Sequence, residues 1–517
     1  MTLDMHPEAL PPLQPAPFAL GWPALLEELR PFLATSPSPV YLVGGAVRDA
    51  FLRRPIHDLD FAGAADGRKL AKLIADKLGG AYYPLDADRG VGRAILKRGS
   101  ERFVIDVARF RGESLAEDLA GRDFTINALA VPTDGDFQSV IDLVGGIVDL
   151  QQKRLRRCNE HSIADDPVRA LRAVRFSVAL NLLIEPQTRA DLRTYGPQIA
   201  SVSAERVRDE FMNILGGTRP HVALRTLDAL GLLSLVVPEI EAMRGVTQSL
   251  PHTQDVWGHT LSVVERLYGV LATISPARTE DSAADSAYGM IVYLLDRFRK
   301  QWQSHLDMPQ ASGHSVQSLL MLAALLHDCG KPATRSVEEQ GHIHFYKHEL
   351  VGADLAQTRC TALRLSNDEN SRVTEIVRQH MRPLHLASSA PYNKGELSRR
   401  AIYRFWKATG ETGLDVCLLT LADYLGMVGV NLVLQDWIHH LQIVAVLLDG
   451  YFNQKEIIVA PPPLVNGRDL IIGLDLQPGP QLGQVLDALG EAQAAGEITT
   501  IEEAFTLAKT LLNLSDN

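Results

Sequence analysis

Positive charge is in short supply in this chain: 51 Lys and Arg against 62 Asp and Glu leave a net charge of −11. That balance excludes indiscriminate binding to nucleic acid, so a polyanionic partner must be met by local arginine clusters. Aromatic residues are also scarce, at 6% in a chain that is 46% hydrophobic, and the Leu/Ala-rich remainder favours helices over strands. The four cysteines, Cys158, Cys329, Cys360 and Cys417, form no Cys-x-x-Cys pair and no regular framework. Neither a zinc knuckle nor a disulfide scaffold is expected, and a reducing cytoplasm is the simplest setting. No apolar run approaches the ~18 residues of a membrane span, the longest being of the 319–326 type, so no membrane partner is expected. The first 17 residues hold five prolines and no basic segment followed by an apolar one, which excludes a signal peptide and suggests a disordered leader over 1–25.

What is present centres on Tyr41-Leu42-Val43-Gly44-Gly45-Ala46-Val47-Arg48-Asp49 and the following His57-Asp58-Leu59-Asp60-Phe61. An apolar strand enters a Gly-Gly turn and a short helix, and a second strand carries two carboxylates. Strand side chains alternate, so Asp58 and Asp60 share one face while Leu59 and Phe61 share the other. Such a pair can hold two divalent ions, Mg2+ by preference. Gly44 and Gly45 let a triphosphate approach backbone N–H groups, and the chemistry implied is nucleotidyl transfer. The spacing predicts helices over 22–34 and 66–78 and strands over 94–97 and 103–107, the last bearing Asp106 as a candidate third catalytic carboxylate.

The Gly-Gly-x-x-Arg-Asp and Asp-x-Asp constellation resembles the first motif of the DNA polymerase β superfamily, and more narrowly the class II tRNA nucleotidyltransferases and bacterial poly(A) polymerases. Further motifs follow in the family's order. Gly121-Arg122-Asp123-Phe124-Thr125-Ile126-Asn127-Ala128-Leu129-Ala130 resembles the family's Arg-Arg-Asp-Phe-Thr motif, with Gly121 in place of the first arginine. The resemblance implies nucleotide binding by Gly44, Gly45, Arg48, Arg122, Asp123 and Asn127, with Arg122 on phosphate and Asp123 or Asn127 on the sugar. Asp142-Leu143-Val144-Gly145-Gly146 resembles the hinge motif. Asp165-Asp166-Pro167-Val168-Arg169 resembles the Glu-Asp-x-x-Arg motif, in which Asp166 and Arg169 imitate the pairing edge of a template base. A carboxylate accepts from the amino group that C and A both carry, and a guanidinium donates to ring acceptors. Arg172 and Arg175, with Arg154, Arg156 and Arg157, supply local positive charge and are expected to line a face leading to an RNA end. Ser203 is a plausible cap for the helix after it.

The second half carries His259, then His327-Asp328-Cys329-Gly330-Lys331-Pro332, then Asp423. This spacing resembles the HD phosphohydrolases and implies His259, His327, Asp328 and Asp423 as metal ligands, with His348 and His380 extending the set to a second ion. Such donors suit Mn, Ni, Fe, Zn or Mg alike. The stretch 275–287 is expected to be an exposed, mobile insertion. The segments around Leu464-Val465-Asn466-Gly467 and Pro478-Gly479-Pro480 resemble the family's tRNA-contacting tail.

The expected fold is multidomain α+β: a leader (1–25), a nucleotidyltransferase head with a small mixed β-sheet (26–150), a helical neck (151–250), an HD-type helical domain (251–440) and a helical tail (441–517). Three functions stay open: a tRNA 3′-end nucleotidyltransferase using CTP and ATP, with poly(A) synthesis as its close variant; a metal-dependent phosphohydrolase; and a non-catalytic RNA-binding protein. Within the first, CCA-adding relatives carry a flexible loop of about a dozen residues before the Arg-Asp-Phe-Thr segment, which here shrinks to 112–114. Since a residue spans at most ~3.5 Å, so short a loop points to addition of CC alone.

Overall fold

The computed structural model describes residues 13–279, 285–391 and 396–512. The chain separates into two compact units, Met1–Val202 and Ser203–Asn517.

The first unit is built on eight strands: β1 (Gln14–Pro15), β2 (Val40–Val43), β3 (Asp58–Gly63), β4 (Ala81–Asp86), β5 (Val91–Arg98), β6 (Glu101–Arg109), β7 (Leu129–Pro132) and β8 (Ser139–Asp142). They lie in the order β1-β8-β7-β2-β3-β6-β5-β4. Helices α1 (Leu25–Leu33) and α2 (Gly45–Phe51) flank β2; only β3 and β6 run parallel, and their crossover passes through helix α3 (Gly67–Leu78). Asp66 starts α3 by accepting from the Arg68 N–H at 3.0 Å, and Gly79, left-handed at φ 70°, ends it. Leu70, Ala71 and Ile74 of α3 are buried on the face of the sheet that carries Leu59, Phe61, Ile105 and Val107. The opposite face carries the acids. It is covered only at its far end, where Tyr41, Ala62 and Ile141 pack against Leu115 and Leu119 of a short helix, Leu115–Ala120.

The first 12 residues of the expected leader lie outside the described residues. The rest of it is not loose: β1 pairs with the edge of β8, Leu20 is buried, and the Trp22 indole donates to the Phe137 carbonyl at 2.9 Å. An edge strand that would otherwise expose unpaired backbone is thereby covered. The helix expected over 22–34 is Leu25–Leu33.

The second unit is helical. Its central helix, Val316–Leu326, is apolar all round and buried at every position but Gln317, so it ends by delivering His327 and Asp328 into the interior. Around it lie Val256–Ile274, His348–Ala362, Asn367–Gln379 and Gly413–Val428. The last carries Asp423 and is buried as core along most of its length. Ser203 precedes helix Ala204–Leu215 without a side-chain capping bond, contrary to expectation. Residues 280–284 of the expected insertion lie outside the described residues, and Ser286–Leu295 next to them is helical. Three helices, Gly467–Leu474, Pro480–Ala495 and Ile501–Leu511, close on their own apolar cluster of Leu470, Val485, Leu489, Ala504 and Ala508.

Candidate active site

In the first unit, the parallel register sets Asp60 opposite Asp106, and Asp58 lies two residues before Asp60 on the same face. Asp58 is exposed; Asp60 and Asp106 are half-buried. Burial pushes the Asp60 carboxyl up to about 6, with Asp106 and Asp58 adding to the rise and Arg122 and Arg93 opposing it. Asp106 is not a bare third carboxylate. Arg93, opposite it on β5, grips both oxygens at 2.8 Å. This partner was not foreseen, although the pattern hints at it: Gly92 leaves room for α3, where an added Cβ would come 2.8 Å from the Arg68 Cα, so the next side chain must turn to the acid face.

Gly44 takes φ 78°, and a Cβ there would sit 3.0 Å from Arg122 Nη1 and 3.5 Å from Asp60 Oδ2. Only glycine leaves this space open. Gly45 begins the short helix Gly45–Phe51, whose Arg48 is buried: Nη1 donates to Asn127 Oδ1 at 2.6 Å, and Nε and Nη2 grip Asp49. Arg122 is anchored through Nε and Nη2 on the buried Asp118 at 3.0 and 2.8 Å, a second partner that the sequence did not suggest.

Asp123 accepts from Asn127 at 3.0 Å, from the Phe124 N–H at 2.8 Å and from Arg172 at 3.0 and 2.8 Å. Its burial alone would raise its pKa, but the Arg172 charge and these hydrogen bonds outweigh that and hold it down at about 2. Arg169 turns Nη1 and Nη2 to the backbone carbonyls of Arg122, Ser162 and Gly121, and its Nε lies 3.8 Å from Asp166. Arg175 lies over the Phe176 ring, 4.5 Å from its centroid.

The expected arginine face is a different object. Arg154 and Arg156 both bind the fully buried Asp149, which also accepts from Thr125 at 2.6 Å, and Arg157 pairs with Asp191. Two carboxylates thus answer three guanidinium groups, so most of their charge is matched internally. The Gly145-Gly146 hinge segment is likewise fixed: one Asp142 oxygen accepts from the N–H groups of Gly145 and Gly146 at 2.8 and 2.9 Å.

The second unit holds a cluster of another kind. The donor atoms of His259, His327 and Asp423 lie within 4.8 Å of one another, as do those of Asp328, His348 and His380. All six residues predicted from the sequence therefore meet, as two sets of three. His327, His348 and His380 each turn Nδ1 to the backbone oxygen three residues earlier, at 2.8, 2.8 and 2.7 Å, which leaves every Nε2 facing the centre. His348 and His380 bring Nε2 to Nε2 at 3.3 Å, His259 Nε2 lies 3.0 Å from Asp423 Oδ1, and His327 Nε2 lies 3.2 Å from Asp328 Oδ2. Lone pairs so confronted fit divalent cations. Burial, with His327 and His348 nearby, pushes His380 down to about 3. Two neighbours escaped the sequence reading. Lys331 reaches Asp328 at 2.7 Å, and the His252 ring lies 4.8 Å from that of His259.

Comparison with known proteins places these sites in context. The pattern described as "Poly A polymerase head domain" matches residues 40–156, "Probable RNA and SrmB- binding site of polymerase A" matches 181–244, and "HD domain" matches 307–427. The chain is 33% identical to the A-adding tRNA nucleotidyltransferase of Deinococcus radiodurans, covering 92% of this chain and 96% of that one. It is 31% identical to the CC-adding tRNA nucleotidyltransferase of Thermus thermophilus, covering 91% and 93%. Among solved structures, a CCA-adding enzyme with CTP shares the fold at TM-score 0.58 and 20% identity, over 96% of this chain and 97% of that one.

Proposed function

The chain belongs to the tRNA nucleotidyltransferase family, and from that premise we propose that it adds cytidines, CC, to the 3′ end of tRNA in the cytoplasm. The observation that carries the choice of CC is the link between β6 and helix Leu115–Ala120. It has five residues and no slack: Arg111 N–H donates to Asp118 at 3.1 Å, Glu113 N–H to Glu117 at 2.9 Å, and Ser114 caps the helix. Nothing there can reach across a cleft to retune the Asp166 and Arg169 edge from C to A.

In this reading Asp58 and Asp60 hold Mg2+, whose oxygen-only ligands suit a hard cation, with Asp106 beside them. When bound, the ions activate the RNA 3′ hydroxyl and neutralise charge on the leaving pyrophosphate. Arg122, fixed by Asp118, presents Nη1 to the space that Gly44 leaves open, where the CTP phosphates lie. Arg48 and Arg172 hold Asn127 and Asp123 in place for the ribose. Asp166 accepts from the cytosine amino group, and Arg169 and Asp166 steady one another.

The test supplies purified protein with tRNA lacking its 3′ CCA and each labelled NTP in turn, then with tRNA ending in CC and ATP alone. Two C additions and no A are expected. Efficient addition of one A overturns the CC reading, and a long A tail makes the protein a poly(A) polymerase. The six-donor cluster favours a second activity in the same chain, metal-dependent removal of phosphate from 2′,3′-cyclic or 3′-phosphorylated RNA ends. It is tested by phosphate release with Mn, Ni or Mg.

A further inference from the structure

Three guanidinium groups gather where the backbone passes through Gly121 and Arg122, and they have one fully buried carboxylate among them. Arg122 takes Asp118 Oδ2 with both Nε and Nη2, while the other oxygen of Asp118 accepts the backbone N–H of Arg111. Arg169 satisfies its Nη groups on carbonyls and on Ser162. Among the described residues the Arg111 side chain is thus left with a single hydrogen bond, Nη1 to the Gly121 carbonyl at 3.3 Å, and it is exposed. Gly121 contributes no side chain of its own, and its carbonyl is what holds the guanidinium that the five-residue link brings in. Partial desolvation and the charges of Arg122, Arg169 and Arg89 pull the Arg111 pKa down, with Asp118 opposing. A cation in this position gains from an arriving anion more than from water.

We propose that Arg111 is a phosphate-binding residue of the head, reaching from the shortened link to the triphosphate of the incoming nucleotide beside Arg122. The proposal rests on the nucleotidyltransferase reading of the Asp58 and Asp60 site. It gives the short link a role besides brevity. The segment that cannot swing across the cleft instead fixes a cation at its edge.

The experiment uses the full-length protein, with CTP and inorganic pyrophosphate as probes. Arg111→Ala is expected to raise the KM for CTP and the inhibition constant of pyrophosphate together, each on the order of tenfold, while kcat changes less than the KM and tRNA affinity stays within about twofold. Because an added Cβ at Gly121 meets nothing closer than the Glu117 carbonyl at 3.2 Å, Gly121→Arg in the Arg111→Ala background can return a cation from the neighbouring backbone and is expected to recover most of the pyrophosphate affinity. Arg111→Lys should fall between. If Arg111→Ala lowers the melting temperature but leaves both constants within about twofold, Arg111 is a strut for the link and the proposal fails. If tRNA and CTP affinity fall by the same factor, it belongs to the RNA path and the proposal also fails. Loss of turnover in Asp58→Ala with pyrophosphate binding, read directly by calorimetry, retained tests the metal site separately.

Discussion

The two acid clusters of this protein differ in almost every physical respect. The head cluster offers only carboxylate oxygens, is open enough that Asp58 is exposed, and is rimmed by Arg93 and Arg122. The cluster of the helical unit offers four imidazoles and two carboxylates, with five of the six side chains almost wholly buried. Oxygen-only donors open to solvent suit a hard ion that keeps its waters, whereas buried imidazoles mixed with carboxylates suit several divalent metals alike.

The largest effect should come from breaking the head alone. Asp58→Ala or Asp60→Ala is expected to lower incorporation by about a thousandfold or more, with tRNA affinity nearly intact, since metal-held chemistry and phosphate-groove binding are separable. More than a few per cent of residual turnover with Mg2+ present would remove the two-ion assignment. The mirror experiment is His327→Ala with Asp328→Ala. Metal content of the purified protein and phosphate release should both disappear while CTP incorporation persists, and a wild-type protein purified without transition metal would reduce this cluster to a scaffold.

A smaller effect separates chemistry from choice. Arg169→Ala should slow CTP addition by about tenfold and admit UTP or GTP, because half of the base-reading edge is gone. Equal slowing with all four nucleotides would make Arg169 only a clamp on the Gly121, Arg122 and Ser162 oxygens that it touches.

The smallest effect is a matter of sign. The folded-state pKa of Asp60, about 6, lies above its unfolded value, so in metal-free protein its protonated form supports the fold at pH 4 and below, and that support is lost as the pH rises through 6. Asp60→Asn should therefore raise the melting temperature of the metal-free protein at pH 7.5 and leave it unchanged at pH 4. His380 runs the other way: held down at about 3, its neutral form is the one that fits the fold, and acidification below its unfolded value of 6.5 costs stability. Melting curves between pH 4 and 8 check both, and an Asp60→Asn gain that persists at pH 4 would show that charge is not its cause.

The sequence made the local parts of these clusters legible. Alternation on β3 put Asp58 and Asp60 on one face, and the apolar run 319–326 leads straight into His327 and Asp328. Pairings between distant segments were not legible. A strand does not declare its neighbour's register, so Arg93 across from Asp106 could not be read, nor could the return of Arg122 onto Asp118. Counting charges also misled: Arg154, Arg156 and Arg157 are adjacent in sequence and suggest a basic face, but Asp149 and Asp191 fold back on them. The described part of the leader, residues 13–25, departs from expectation because prolines and polar residues describe a segment without a core of its own, and this one borrows the edge of β8.

The alternation of Gly92 and Arg93 restricts how this protein can change in length. One of the pair must be bare beneath α3 and the next must reach the acids, so an inserted or deleted residue anywhere between Val91 and Asp106 that shifted β5 by one place would reverse both. The strand would present a side chain where the helix backbone lies and leave Asp106 facing Asp60 with no cation between them and solvent. No single substitution repairs that. Length variation in this half of the sheet is therefore tolerable only in the turns at 87–90 and 99–100, outside the paired stretches, and a library of one-residue insertions from 87 to 100 should recover active protein there and nowhere within β5 itself.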